Sequence, residues 1–394
     1  CFGDKGFISR DVIDFYKLRD NPQIWSVGVK EVWQVNEDYQ GKVWHTLGYP
    51  LLDGTFGGGF VYGMKDKKLT IGMVISLDSQ DPNMNPQQKL QDYKKHAFIQ
   101  DMIKGGKLLK YGAALLPEGG YYSLPKKFYV PGAILLGDAL GVLDVKNLAG
   151  IDRAMECGYV AAGVLHDALV KGDTSEAALA PYQKQLEDGF VIKEAYKNRY
   201  FRWAFMSNPK LLGQYLPDIA KSIDKTNAWV GMLKVGFKNP FAAPVDGVTS
   251  LSLIEGTRDI GPIKYKPDAS HIIPSWVTPK YDEPQYDKST IYSRPDAVFF
   301  ASTKYHEGNE HIDEFNAQTC VKCISTYEGL GKTTPCVADC TAEVHRIDII
   351  DDLRKHGMSL ENCVHCRTCE IVCPEVNLRV KPTSQGSGPD FMGL

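Results

Sequence analysis

No stretch of this 394-residue chain approaches the ~18 consecutive apolar residues of a spanning helix. Neither sign of charge is in large excess. The 45 basic and 48 acidic residues leave a net charge of -3, which gives no support to a nucleic-acid binder built on bulk basic charge. There is no P-loop, no His-Glu-x-x-His and no Ser-His-Asp signature, so nothing points to hydrolysis. No Gly-x-Gly-x-x-Gly follows a strand pattern, so the dinucleotide fingerprint is missing from these residues. No internal repeat or low-complexity tract appears. Cysteine is nearly absent from most of the chain: only Cys1 and Cys157 lie in the first 319 residues. A large, cysteine-poor body of this kind is unlike a small secreted scaffold stapled by disulfides. The chain opens on Cys1 instead of Met, so a missing or processed N-terminus is expected.

What is present is concentrated at the other end. Eight cysteines fall between Cys320 and Cys373. The second group, Cys363-x2-Cys366-x2-Cys369-x3-Cys373-Pro374, is the complete C-x2-C-x2-C-x3-C-P run of bacterial ferredoxins. Three thiolates so spaced wrap three corners of one cubane, and the fourth ligates another cluster. Zinc sites more often use two separated C-x2-C pairs. A second run therefore has to exist, and Cys320-x2-Cys323-x12-Cys336-x3-Cys340 supplies it. Its insert, Ile324 to Pro335, contains Gly329 and Gly331 and reads as a surface loop. Crossed ligation follows. Cluster one takes Cys320, Cys323, Cys336 and Cys373, and cluster two takes Cys340, Cys363, Cys366 and Cys369. His365 lies inside the motif, but eight thiolates suffice, so it reads as a surface histidine. Cys157 reads as a packing residue. Two clusters imply one-electron transfer in a reducing compartment.

Upstream, Val27 to Val35 and Leu69 to Leu77 read as strands of a mostly antiparallel sheet. Between them, Gly57, Gly58 and Gly59 permit close approach of backbone to another surface or a ligand, or mark a tight hairpin or bulge. Next, an apolar strand ends in Gly137-Asp138 and a helix follows, with Ile151, Met155, Val160, Leu165 and Leu169 on or near one stripe. That order suits a ligand with hydroxyls, although Gly-Asp alone is also an ordinary turn. Thr174-Ser175 is an N-cap candidate with Glu176 in the first turn. Trp229 to Phe241 is apolar but too short to span. It suits either a membrane interface or a core helix. Residues 260 to 296, rich in Pro, Tyr and Asp, read as an irregular linker.

Three stretches now carry a resemblance: Tyr49 to Tyr62, Gly137 to Gly158, and Asn362 to Cys369 with Gly386-Ser-Gly-Pro389 beyond. Through them the chain resembles the electron-transfer flavoprotein:quinone oxidoreductase family along nearly its whole length. The fold this implies is α+β: an FAD-binding flavoprotein oxidoreductase of the glutathione-reductase/hydroxylase type, lacking its N-terminal Rossmann unit, plus a bacterial-ferredoxin-like domain. The expected divisions are 1–112, a β-rich quinone-binding part; 113–172, the second half of the FAD domain; 173–260, a helical membrane-facing part; 261–299, a linker; and 300–394, the ferredoxin-like domain. By the resemblance, Gly137 and Asp138 face the FAD ribityl, Gly150 and Ile151 sit beside the flavin ring, and Gly57 and Gly58 line the quinone pocket. Trp229 to Phe241 matches the membrane-dipping surface. Mitochondrial-type members have one cluster, matched by Cys340, Cys363, Cys366 and Cys369. The other four cysteines go beyond that pattern and look like those of two-cluster ferredoxin subunits. Another segment or chain is expected to complete the FAD site.

The implied cofactors are FAD and two [4Fe-4S] clusters, with a membrane quinone (ubiquinone or menaquinone) as substrate. The implied partners are the electron-transfer flavoprotein and the membrane surface, with no nucleic acid. The expected location is peripheral, on a bacterial or archaeal cytoplasmic membrane or on the matrix side of the mitochondrial inner membrane. Three rivals use the same residues: the quinone-reducing branch of a bifurcating complex, a flavin-dependent reductase or hydroxylase acting on a lipid, and an iron–sulfur subunit of a larger respiratory complex.

Overall fold

The computed structural model describes residues 7–51, 54–79, 81, 84–208, 210–211, 259–264, 285–306, 308–383 and 387–390. The Trp229 to Phe241 segment and most of the expected linker lie outside the described residues. Along the chain run α1 (Phe7–Phe15), β1 (Trp25–Gln34), β2 (Val43–Thr46), β3 (Gly57–Met64), β4 (Lys68–Ser76), α2 (Pro86–Lys94), α3 (Ala97–Ile103) and β5 (Lys107–Pro117). Then come β6 (Tyr129–Val130), β7 (Ala133–Ile134), α4 (Gly137–Leu140), α5 (Ile151–Lys171), α6 (Glu176–Asp188), α7 (Phe190–Lys197) and α8 (Phe201–Ser207). Last are α9 (Arg294–Phe299), β8 (Ile312–Glu314), α10 (Ala317–Gly329), α11 (Pro335–Ala338), β9 (His345–Ile350), β10 (Leu353–Met358), α12 (Thr368–Val372) and β11 (Leu378–Val380). The architecture is α+β. Among the described residues, no helix is long and apolar enough to cross a membrane.

The chain forms two compact units. One comprises Cys1–Trp25 and Leu116–Ala269, the other Ser26–Leu115 and Ser270–Leu394. The first is built on α5. Its buried stripe is Cys157, Val160, Ala161, Val164 and Ala168, packed with Ile134, Leu140, Tyr182 and Leu186. The stripe expected from sequence is divided: Val160 is buried, whereas Ile151, Met155 and Leu169 are exposed. Residues 151 and 155 stand one turn apart on the face turned away from the core. Ser175 caps α6, its hydroxyl accepting from the Ala178 N–H at 3.4 Å.

The second unit contains a five-stranded sheet in the order β2-β3-β4-β1-β5. Strand β4 pairs antiparallel with both β1 and β3, and β3 with β2. Aliphatic and aromatic residues (Val27, Val29, Trp33, Ile71, Met73) supply its core. Asn85 caps α2 by accepting from the Gln88 N–H, with Pro86 in the first turn. That helix delivers Lys94 to a buried carboxylate on β1. Both Glu31 oxygens lie 2.9 Å from Lys94 Nζ, and neither side chain is exposed. Trp33 Nε1 and Gln91 Nε2 also donate to Glu31, at 2.8 and 3.2 Å. Such pairing is what makes a buried charge tolerable.

The same unit holds the C-terminal elements. Strands β8 and β11 pair antiparallel, and β9 and β10 form a hairpin. Two expectations are corrected here. The insert after Cys323 is helical as far as Gly329, because Asn316 caps α10 and Ile324 is buried. The end of the expected linker is also helical. Ser293 caps α9, accepting from the Asp296 N–H, and Pro295 lies in the first turn.

Candidate metal centres

Local structure aims the cysteines. Cys320 and Cys323 lie three apart on α10 and so share a face. Cys336 sits in the single turn of α11, started by Thr334 and Pro335. Left-handed backbone at His365 (φ 57°) and Arg367 (φ 67°) bends the chain around Cys363 and Cys366 before α12 carries Cys369. The outcome is two pockets. One is lined by Cys320, Cys323, Cys336 and Cys373, with Ile324 and Leu378. The other is lined by Cys340, Cys363, Cys366 and Cys369, with Val344 and Val364. All eight thiols are free.

Donors converge on the sulfurs. Backbone N–H groups of Val344, His365 and Asn377 reach the Sγ of Cys340, Cys363 and Cys373 at 3.2, 3.3 and 3.2 Å. Asn377 Nδ2 donates to Cys320 Sγ at 3.1 Å. Burial pushes Cys320 and Cys336 up to about 12 and Cys323 up to about 11, with nearby thiols adding to the shift. Cys369 is raised well above the ordinary thiol value by burial and by Cys363, Cys366 and Cys340. Thiols in such surroundings keep their protons unless a metal cation replaces them. Four sulfurs per pocket, met by N–H donors, are a donor set that fits an iron–sulfur cluster.

Between the pockets lies a polar group with no sequence signature. His345 Nδ1 and His356 Nε2 are 2.9 Å apart, and His356 Nδ1 is 2.5 Å from Glu314 Oε2. The His345 and His356 rings are nearly coplanar at 7°, with centroids 5.1 Å apart. That is the edge-to-edge arrangement of an in-plane N–H···N bond, not face-to-face stacking. Burial, and then His356, push His345 down to about 3, so it is neutral near pH 7. His345 pairs with Met358 across the hairpin, which puts His356 two residues away diagonally on the same face. The period-two pattern of a hairpin was the signal available. His365 is half-buried, its Nε2 2.9 Å from the Lys381 carbonyl, and so is not the surface histidine expected.

In the first unit, Gly137 and Asp138 open α4, and Gly150 directly precedes α5, whose first residue Ile151 is exposed. Helix α4 rests against α5: a Cβ on Gly137 would lie 3.1 Å from Ala154 Cβ. The loop between them is pinned by buried Asp144, which accepts from the Lys146 and Asn147 N–H groups and pairs with Arg153 at 2.7 Å. Gly57 and Gly58 lie in the second unit, at the start of β3 between β2 and β4, and not in a turn. A Cβ on Gly57 would meet the Val74 carbonyl at 2.2 Å, and one on Gly58 the Thr46 carbonyl at 2.5 Å. Their missing side chains thus make room for neighbouring strands.

Residues 25–116, covering that sheet, match a family model described as ETF-QO, ubiquinone-binding. A probable mitochondrial electron transfer flavoprotein-ubiquinone oxidoreductase of Schizosaccharomyces pombe is 31% identical over 99% of this chain and 57% of its own length. The Caenorhabditis elegans mitochondrial enzyme of that name is 29% identical over 100% of this chain and 62% of its own length. The Pseudomonas aeruginosa one is 28% identical over 100% and 66%. This chain therefore spans less than two thirds of the length of these relatives. It is an α+β chain similar along its whole length to proteins named electron transfer flavoprotein-ubiquinone oxidoreductase.

Proposed function

We propose that this chain is the quinone-side and iron–sulfur portion of an oxidoreductase that takes electrons from reduced electron-transfer flavoprotein and delivers them to a membrane quinone. The observation that carries the reading is the grouping of eight free cysteines into two pockets of four, in the same unit as the sheet matching the ubiquinone-binding model. On this reading Cys320, Cys323, Cys336 and Cys373 hold one [4Fe-4S] cluster, and Cys340, Cys363, Cys366 and Cys369 hold the other. When bound, the clusters supply one-electron transfer and FAD supplies the pairing of electrons that quinone reduction needs.

The protein's part is to hold, orient and insulate. Gly137 and Asp138 would present backbone and carboxylate to the FAD ribityl, with Gly150 and Ile151 beside the flavin ring. Another segment would grip the rest of FAD. Gly57 and Gly58 would line the quinone pocket. Tyr111, on β5 within the quinone-model region, donates to the Thr341 carbonyl at 2.9 Å, and the Thr341 hydroxyl lies 3.7 Å from Cys366 Sγ. That contact gives the sheet a buried polar link to the second cysteine set. The expected divisions of the chain, the ferredoxin-like character of 300–394, a missing Rossmann unit and peripheral membrane location belong to the same proposal.

The test is metal and flavin content. About eight irons and eight labile sulfides per chain are expected, with spin-coupled EPR signals after reduction. About four irons would remove the cluster formed with Cys373. Cys373→Ser should disturb that cluster and spare the other. Loss of the other alone would refute the crossed sets. A preparation that never takes up flavin, even with the completing segment supplied, would favour an iron–sulfur subunit of a larger complex.

A further inference from the structure

Three groups outside the cysteines lie between the two pockets and have no role so far. His356 lines the pocket of Cys320, Cys323, Cys336 and Cys373. His345 lines the pocket of Cys340, Cys363, Cys366 and Cys369. The two imidazoles are bonded to each other, and Glu314 holds the outer nitrogen of His356. Ligating atoms of Cys336, His345 and His356 lie within 4.8 Å of one another, as do those of Glu314, Cys320 and His356. We propose that Glu314, His356 and His345 form a hydrogen-bonded strut that positions both cysteine sets and couples the reduction potential of one cluster to that of the other. The inference rests on the two-cluster reading above.

The chemistry follows from the donor order. Glu314 Oε2 accepts from His356 Nδ1–H, which leaves His356 Nε2 as an acceptor. His345 Nδ1–H then donates to it, fixing one tautomer for each ring. A coplanar, bonded pair of rings cannot rotate independently. Each ring therefore presents a fixed dipole to the pocket it lines, and oriented dipoles near the sulfurs are one of the levers that set cluster potential. The strut also joins β8, which carries Glu314, to the β9–β10 hairpin. Truncating His356 leaves His345 without its partner, so the second pocket should feel a change made in the first. No bond is made or broken. The property tuned is the equilibrium for placing one electron on each cluster, with dithionite as the electron source in the test.

The experiment is a double-mutant cycle read by EPR-monitored redox titration of the reconstituted chain. His356→Leu, His345→Leu and the double variant are each compared with the unaltered protein after iron and sulfide are counted. His356→Leu is expected to shift both clusters, the one held by Cys320, Cys323, Cys336 and Cys373 by about tenfold in its reduction equilibrium, or about 59 mV for one electron. The double variant should do no more than either single one, because one strut is lost only once. His356→Gln, which keeps a polar group at that point, should recover part of the shift, and it replaces His356→Leu if the latter loses iron. Full iron content with unchanged potentials overturns the strut and leaves the two-cluster reading standing. Additive shifts make the histidines two independent neighbours and also overturn it. Iron well below about eight in the unaltered protein removes the cluster reading itself, and the strut with it.

Discussion

Glu31 shows how much one buried side chain depends on its partners. Its carboxylate is closed off from solvent and satisfied by Lys94, Trp33 and Gln91. Lys94 also lies 5.2 Å from the ring centres of Trp33 and Tyr292, so its charge meets aromatic faces as well. Burial lowers Lys94, and Glu31 acts against that shift. Lys94→Met should therefore cost about 3–5 kcal/mol in urea denaturation, because it strands a buried carboxylate. Adding Glu31→Gln should recover much of the loss. If Lys94→Met is as stable as the parent, the pair is not the constraint described. Nothing in the sequence announces this pair. Its members are 63 residues apart, and neither lies in a motif.

At the scale of elements, β3 and α5 treat glycine in opposite ways. In β3 the missing Cβ makes room for neighbours. On Gly59 it would lie 2.5 Å from Tyr93 Cζ and 2.6 Å from Thr46 Oγ1, two side chains that share a 3.0 Å hydrogen bond. Gly59→Ala should destabilise by about 1–3 kcal/mol in the same denaturation assay. In α5, Gly158 has nothing within 4 Å of its built Cβ. Gly158→Ala should stabilise by about 0.5–1 kcal/mol, since alanine restricts the unfolded chain and favours helix. Equal effects of the two would refute the contrast. Strands were the easier elements to read. Apolar and β-branched residues marked β1 and β4 to within about two residues. The α10 helix was harder. Glycines at 329 and 331 suggested a loop, but they only end a helix that Asn316 begins.

At the scale of the molecule, all eight cysteines fall in one of the two compact units. Removing the metal should therefore act on that unit alone. Chelation of the reconstituted protein should raise amide exchange across residues 308–383 and leave exchange in α5 and α6 unchanged, because a bound metal stabilises only the structure that forms its site. Uniform loss of protection would show that the units do not respond separately.

Spacing alone determined that the cysteines form two runs, that one run keeps three close thiols and sends the fourth elsewhere, and that the eight divide into two crossed sets of four; apolar and β-branched runs marked the β-rich part before them. Such features are local, because spacing along the chain dictates which side chains share a turn or a helix face. Tertiary structure decided the rest. It placed Gly57 and Gly58 inside a sheet, closed Lys94 over Glu31, and set His345 against His356 between the two cysteine sets. These contacts join elements far apart in sequence, and they exist because burying one apolar surface also carries the polar groups beside it out of water, where each must find a partner.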